Sequence, residues 1–134
     1  MVTADTNIAF YALHQDPKTE AAEAVLAKAD FLSAQVFNEY AFASKRKLSK
    51  SWPQIRKDLA LLQTWVQDIR PIDIAANVQA LRITERYEIS FFDALMLAVA
   101  LINGATIFYS EDMQHGQVID GSLTIIDPFR TARS

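Results

Sequence analysis

The sequence predicts an α/β protein in which helices cover both faces of a mostly parallel sheet. Two observations predict this class. Short apolar segments alternate with helix-like segments, and the apolar segments lack the polar–apolar alternation of strands that face water on one side. The chain has 134 residues with only three glycines and four prolines, and no segment resembles a linker. We therefore expect a single domain, residues 1–134.

Each predicted strand is a short, mainly apolar run that a turn or a helix signal bounds. The five predicted strands lie at 1–4, 30–33, 69–72, 106–109 and 123–126. The fourth strand follows the helix stop Asn103-Gly104. In parallel sheets of this kind, ligands bind outside the carboxyl ends of the strands. Asp5 and Asp112 follow predicted strands and are therefore expected at that edge.

The predicted helices begin at residues that are typical of helix starts. Ser33 is expected to cap a helix over about 34–48. Ser51 is expected to cap the following helix, whose first turn contains Pro53. The other predicted helices lie at 8–13, 18–29, 75–83 and 91–102.

One carboxylate, Asp93, interrupts an otherwise apolar run at 91–102. This run is apolar all round a helical wheel, which is typical of a helix buried on most of its surface. An unpaired ionised carboxylate there is costly, so Asp93 requires a partner or an opening to solvent. The segment Ser90-Phe91-Phe92-Asp93 also fits a capping box. The two interpretations are compatible, because a helix N-terminus stabilises negative charge.

Asp5, Glu39 and Asp112 form a candidate site together with Asp93. Singly, each has an ordinary explanation, Asp5 as a helix cap, Glu39 as a surface residue and Asp112 as a loop residue. Four carboxylates that converge at one sheet edge would repel one another strongly unless a cation lies among them. Oxygen ligands without His or Cys favour Mg²⁺ or Mn²⁺, and such sites commonly serve phosphoryl chemistry.

Composition and charge exclude several classes of protein. The absence of cysteine excludes disulfides and thiolate metal sites and fits a cytoplasmic protein. No apolar run has the length of a membrane span, and the N-terminus does not resemble a signal peptide.

The net charge of −3 argues against a generally basic nucleic-acid-binding surface. Six basic residues nevertheless form a local cluster that could contact phosphates or simply be solvated: Lys45, Arg46, Lys47, Lys50, Arg56 and Lys57.

Five segments form an ordered set that spans essentially the whole chain. They are Asp5-Thr6-Asn7, Asn38-Glu39, Phe92-Asp93-Ala94-Leu95, 109–116 and 121–129. In this order they resemble the PIN-domain ribonucleases, and among these the VapC-type toxins of bacterial toxin–antitoxin pairs. One departure is the first predicted strand, which is shorter and more polar than a central strand of that fold usually is.

The resemblance implies a three-layer α/β/α fold with a mostly parallel five-stranded sheet of order 3-2-1-4-5. The residues implied for catalysis and metal binding are Asp5, Glu39, Asp93 and Asp112, and those implied in support are Thr6, Asn7 and Ser110. The implied activity is Mg²⁺- or Mn²⁺-dependent endonucleolytic cleavage of structured RNA, such as tRNA or rRNA, with metal-activated water as the nucleophile. The implied partners are a second copy of the chain and a small antitoxin protein in the active-site groove. The basic residues Lys45, Arg46, Lys47 and Lys50 are candidates for RNA or partner contact.

Three alternatives remain open at this point. A PIN nuclease of RNA processing would have the same residues but no antitoxin, and a non-catalytic PIN scaffold would lack activity. A receiver-like phospho-acceptor domain also gathers acids at a sheet edge, but it needs an acidic pair after the first strand and a lysine after the last. Asp5 has no acidic neighbour and no lysine follows Lys57, so the receiver-like domain is disfavoured.

Overall fold

The computed structural model describes residues 1–130, which form six strands and six helices. The strands are β1 (Val2–Ala4), β2 (Leu32–Ser33), β3 (Ile69–Arg70), β4 (Ile107–Tyr109), β5 (Val118–Ile119) and β6 (Leu123–Ile126). The helices are α1 (Thr6–Leu13), α2 (Thr19–Lys28), α3 (Ala34–Leu48), α4 (Trp52–Trp65), α5 (Ile74–Tyr87) and α6 (Phe91–Ile102). Residues 131–134 of the predicted domain lie outside the described part. No helix within residues 1–130 has the length and apolar character that crossing a membrane requires.

Parallel strands dominate the sheet, and the predicted α/β class is confirmed. β1, β4 and β6 are parallel neighbours, and β5 lies antiparallel on the outer side of β6. β2 and β3 form a second parallel pair. The carboxyl ends of β1 and β4 meet at one edge, where the Asp5 N–H donates to the Tyr109 carbonyl at 2.8 Å.

The sheet differs in strand count and continuity from the predicted five strands of order 3-2-1-4-5. It has six strands in two hydrogen-bonded groups, β1-β4-β6-β5 and β2-β3. Side chains replace part of the backbone ladder between the groups. The Asp30 carboxylate accepts from the Val2 N–H at 2.7 Å, and the Thr3 hydroxyl donates to the Phe31 carbonyl at 2.6 Å. These bonds place the second pair beside β1.

The strand that was not predicted, β5, belongs to a hairpin with β6. Its turn contains Asp120 (φ 52°) and Gly121 (φ 70°), and the Ser122 N–H donates to the Ile119 carbonyl at 3.1 Å. Asp-Gly is a strong hairpin signal, because a type I′ turn requires positive φ at both central residues. The Arg82 guanidinium of α5 donates two hydrogen bonds to the Asp120 carboxylate, which fixes the hairpin against the helices.

The predicted helix starts at Ser33 and Ser51 are confirmed. Ser33 Oγ accepts from the Gln35 N–H at 3.1 Å, at the start of α3. Ser51 forms a reciprocal capping box with Gln54, and Pro53 lies in the first turn of α4. Both caps satisfy amide groups that would otherwise lack partners at a helix N-terminus.

α6 is buried over most of its length, as its apolar composition predicted. All seven residues from 94 to 100 are buried. The capping box predicted for Ser90 and Asp93 does not form, since the Ser90 side chain makes no cap hydrogen bond to the backbone. The Ser90 side chain hydrogen-bonds to the Asp93 carboxylate instead.

Candidate active site

Three consecutive residues after β1 each bind a side chain from another part of the chain. The three bonds run from Ser110 Oγ to Asp5 Oδ2 (2.8 Å), from Thr6 Oγ1 to Glu39 Oε1 (2.8 Å) and from Asn7 Nδ2 to Asp112 Oδ2 (3.0 Å). The segment Asp5-Thr6-Asn7 therefore connects the end of β1 to α3 and to the loop that follows β4.

Asp5 is a buried carboxylate, with only 5% of the residue exposed. It caps α1, and its Oδ1 accepts from the Thr6 N–H at 2.7 Å. Burial raises the pKa of Asp5 to about 7, although hydrogen bonds from Ser110 and Thr6 act to lower it. The negative charges of Asp93 and Glu39 raise this pKa further, so both lie close enough to act on Asp5.

Glu39 projects from α3 to the same edge, and both of its carboxylate oxygens are held. Its Oε1 accepts from the Thr6 hydroxyl, and its Oε2 accepts from Gln35 Nε2 at 3.2 Å. Gln35 lies one turn earlier on α3, so the two side chains share a helix face. Gln35 was not predicted to belong to the site, although it precedes Glu39 by four residues and such a spacing places two side chains on the same face of a helix.

Asp93 and Asp112 line a polar cavity of about 260 Å³. Burial raises the pKa of Asp93, the hydrogen bond from Ser90 lowers it, and the charge of Asp112 raises it. The Gln114 side chain also lines this cavity. The cavity therefore exposes two of the four candidate acids, Asp93 and Asp112, to solvent.

The loop that carries Asp112 is anchored by its neighbours. Ser110 Oγ accepts from the Asp112 N–H at 3.2 Å. Glu111 accepts a hydrogen bond from the Tyr11 hydroxyl at 2.6 Å and forms an ion pair with Lys18. These contacts of Glu111 were not predicted, because they join residues far apart in the sequence and no local pattern indicates them.

The four predicted acids approach one edge of the sheet without forming a compact cluster. Among residues 1–130, no group of three or more His, Cys, Asp or Glu side chains is arranged closely enough to hold a metal ion. Electrostatic interactions nevertheless link Asp5 to Asp93 and Glu39, and link Asp93 to Asp112. The structure thus links all four acids by electrostatic interactions, without the close approach that shared coordination of one ion requires.

The donor atoms at this edge fit a hard divalent cation. They are carboxylate oxygens together with Asn7 Oδ1, a buried oxygen that has no hydrogen-bond partner among the described residues. Mg²⁺ and Mn²⁺ prefer such oxygen ligands. At least one ring nitrogen of each histidine is engaged elsewhere. His14 Nδ1 contacts the Phe10 carbonyl, and His115 Nδ1 accepts from the Asp127 N–H.

The predicted basic cluster divides into exposed and engaged side chains. Lys45, Arg46 and Lys47 are exposed in the last turn of α3. Lys50 Nζ instead donates to the Asp58 carboxylate at 2.6 Å. The solvent-facing part of the cluster is therefore the end of α3 together with Arg56 and Lys57 of α4.

The mostly parallel sheet and the acidic edge at the ends of β1 and β4 define an α/β protein with a carboxylate-lined site. The sequence model of the PIN domain family matches residues 2–119, and the chain belongs to this family. The resemblance inferred from the motifs is thereby confirmed. No curated protein sequence matches the chain.

Solved structures of toxin–antitoxin proteins share this fold. A toxin–antitoxin complex from Klebsiella pneumoniae is 17% identical with a TM-score of 0.71, covering 96% of this chain and 98% of that chain. VapBC2 from Rickettsia felis, bound to a DNA fragment from its promoter, is 17% identical with a TM-score of 0.70, covering 93% and 97%. The Sarcin-Ricin loop cleaving toxin VapC20 from Mycobacterium tuberculosis is 20% identical with a TM-score of 0.64, covering 81% and 87%.

Proposed function

We propose that the chain is a metal-dependent endoribonuclease, a VapC-like toxin that hydrolyses phosphodiester bonds in structured RNA such as tRNA or rRNA. The observation that carries this proposal is the approach of four acids, from four separate parts of the chain, to one edge of the sheet. Membership of the PIN domain family supports it, as does the fold shared with a toxin that cleaves the Sarcin-Ricin loop.

The proposed ligands of Mg²⁺ or Mn²⁺ are Asp5, Glu39, Asp93 and Asp112. When bound, such an ion neutralises phosphate charge and makes a water molecule a stronger nucleophile. The chain's own residues orient the carboxylates for this task. Ser110 fixes Asp5, Thr6 and Gln35 fix Glu39, and Asn7 fixes Asp112. Asp93 lies at the N-terminus of α6, where the helix dipole favours its ionised form.

The partners that we propose are a small antitoxin protein and a second copy of the chain. The antitoxin proposal is supported by the solved complexes from Klebsiella pneumoniae and Rickettsia felis, in which related folds occur in toxin–antitoxin assemblies. The antitoxin would occupy the active-site groove and prevent RNA from reaching the candidate acids. The proposed place of action is the cytoplasm, where tRNA and rRNA are found.

An RNA cleavage assay with purified protein tests the enzymatic proposal. Cutting of tRNA or rRNA is expected with Mg²⁺ or Mn²⁺ and not in excess chelator. Asp93→Asn is expected to abolish cutting, because the amide keeps the shape of the side chain but removes its charge. Glu23→Gln is the matched control, since Glu23 lines a separate groove with Trp65 and should be dispensable. Cutting by the Asp93→Asn protein, or cutting in chelator, would refute the metal mechanism.

Two further observations separate the toxin from the other PIN proteins. A short reading frame for a DNA-binding protein just upstream, whose product blocks cutting, is expected for a toxin and not for an RNA-processing nuclease. A non-catalytic scaffold would bind metal without cutting any RNA. Sequencing RNA ends after induction of the protein in cells would identify the substrate.

A further inference from the structure

An apolar groove adjoins the candidate active site. It has a volume of about 490 Å³, and α3 supplies its lining except for Phe92, the second residue of α6. Glu39 lies at one end of this groove and belongs also to the acidic set. Whatever occupies the groove is therefore in contact with the candidate active site.

Two exposed aromatic rings offer a surface for stacking in the groove. Phe42 is 65% exposed and Phe92 is 59% exposed, and both line it. Single exposed apolar residues are ordinary, but two phenylalanines that line one groove form a surface on which a flat ring can stack. We call this feature the Phe42–Phe92 groove.

Positive charge surrounds the groove at the end of α3. Lys47 lines it directly, and the Arg46 guanidinium lies 5.7 Å from the centroid of the Phe42 ring. Beside these, the Lys45 ammonium group lies 4.8 Å from the centroid of the Trp52 ring. Basic side chains interleaved with aromatic rings are the combination by which proteins hold single-stranded nucleic acid.

Amide groups connect the groove to the acidic set. Asn38 Nδ2 donates to Gln35 Oε1 at 3.4 Å, and Gln35 in turn donates to Glu39. Both amides line the groove. Amide side chains can donate to and accept from the edges of an unpaired base, which a purely apolar groove could not do.

We propose that the Phe42–Phe92 groove binds one unpaired nucleobase of the RNA, stacked on Phe42 or Phe92, next to the phosphodiester at the acidic site. Lys47 would contact an adjoining phosphate. The nature of the polymer rests on the proposed function, whereas the aromatic, basic and amide lining is a property of the groove itself. The groove accordingly selects single-stranded loops, because a base in a duplex is not available for stacking on a side chain.

RNA binding without cleavage tests this proposal. The probe is an unstructured oligoribonucleotide of adenosine and uridine that carries one 2-aminopurine, added to the full chain with Asp93→Asn in Mg²⁺. Phe42→Ala and Phe92→Ala are each expected to weaken binding by roughly 5- to 100-fold and to reduce the change in 2-aminopurine fluorescence. Phe92→Tyr, which keeps an aromatic ring, should bind as the parent does.

Two controls make the result specific to the groove. Leu81→Ala removes an exposed apolar side chain from α5 and should leave RNA affinity unchanged. A duplex of the same sequence should bind equally to the parent and to the phenylalanine variants. Thermal unfolding and sedimentation of every variant report folding and oligomeric state.

The outcomes distinguish this proposal from the proposed function. Unchanged RNA affinity in both alanine variants, or no binding of the oligoribonucleotide by the parent, overturns the groove proposal, even if the unsubstituted chain cuts RNA. A loss of self-association in these variants without a loss of RNA affinity assigns the groove to a second copy of the chain and also overturns it. Phenylalanine-dependent binding without any cutting by the unsubstituted chain supports the groove and refutes the nuclease.

Discussion

Asp5 carries an electrostatic penalty that a divalent cation would relieve. It is buried, it adjoins two other carboxylates, and its hydrogen bonds from Ser110 and Thr6 only partly offset burial. A carboxyl group held in this way favours its protonated form in the metal-free protein. The same penalty is a reason for tight cation binding, because a cation would compensate the charge that burial disfavours.

In excess chelator, the stability of the protein is expected to depend on pH through Asp5. The pKa of Asp5 is about 7 in the folded protein and about 3.8 in the unfolded chain, so between these values the folded state binds a proton that the unfolded state lacks. Stability therefore falls as pH rises from about 4 to about 7, by on the order of 4 kcal/mol from this group. Asp5→Asn should flatten that fall, measured by denaturant unfolding across the range.

Asp120→Asn is the matched control because its expected sign is opposite. The ion pair with Arg82 lowers the pKa of Asp120, so its contribution is present near neutral pH and is lost as pH falls through the range of carboxyl titration. Asparagine tolerates the left-handed backbone that Asp120 adopts. A steep pH dependence that persists in the Asp5→Asn protein would contradict the assignment to Asp5.

The candidate acids were predictable from sequence, but most of their supporting contacts were not. Asp5 and Asp112 follow strands, and Asp93 interrupts an apolar helix, so local patterns indicate them. The ion pair between Lys18 and Glu111 joins residues 93 positions apart, and only the completed fold brings them together. Residue types and strand ends thus predict the chemistry of a site, while tertiary packing determines which side chains orient it.

At the scale of elements, α6 is the helix whose environment the sequence predicted most directly. Its apolar residues face β-strands and helices on several sides, which leaves only its first turn and its end open.

The strands were harder to predict. β2, β3 and β5 have two residues each, too short for a periodic pattern. The break between β1 and β2 depends on the Asp30 and Thr3 side chains, which no strand propensity describes.

A matched pair of leucine substitutions tests the burial of α6. Leu97 on α6 is fully buried, whereas Leu81 on α5 is 54% exposed. Leu97→Ala should lower the free energy of unfolding by about 2–5 kcal/mol, because it removes apolar contacts and leaves a cavity. Leu81→Ala should change it by about 0.5 kcal/mol or less. Equal effects in denaturant unfolding would contradict the placement of α6 in the core.

In the whole molecule, the fold gathers negatively charged carboxylates at one edge of the sheet, where they would repel one another without a cation. Mg²⁺ or Mn²⁺ should therefore raise the melting temperature, because an ion that binds only the folded state stabilises it by about 2.7 kcal/mol at a hundred times its Kd. Potassium chloride at matched ionic strength controls for screening. Asp5→Asn should reduce the increment due to metal. An equal increment in both proteins would place the bound ion elsewhere.

The hydrogen bonds of Asp5-Thr6-Asn7 also have a consequence for synthesis of the chain. They join residues 33, 105 and 105 positions apart, so two of the three partners are made only near the end of translation. Contacts of such high sequence separation require the closure of a long loop, which costs conformational entropy and slows folding. A nascent chain that ends before Ser110 lacks the anchor of Asp5 as well as Asp112. The acidic edge therefore cannot assemble on a nascent chain that ends before Asp112, so the complete site exists only after about five-sixths of the chain has been made.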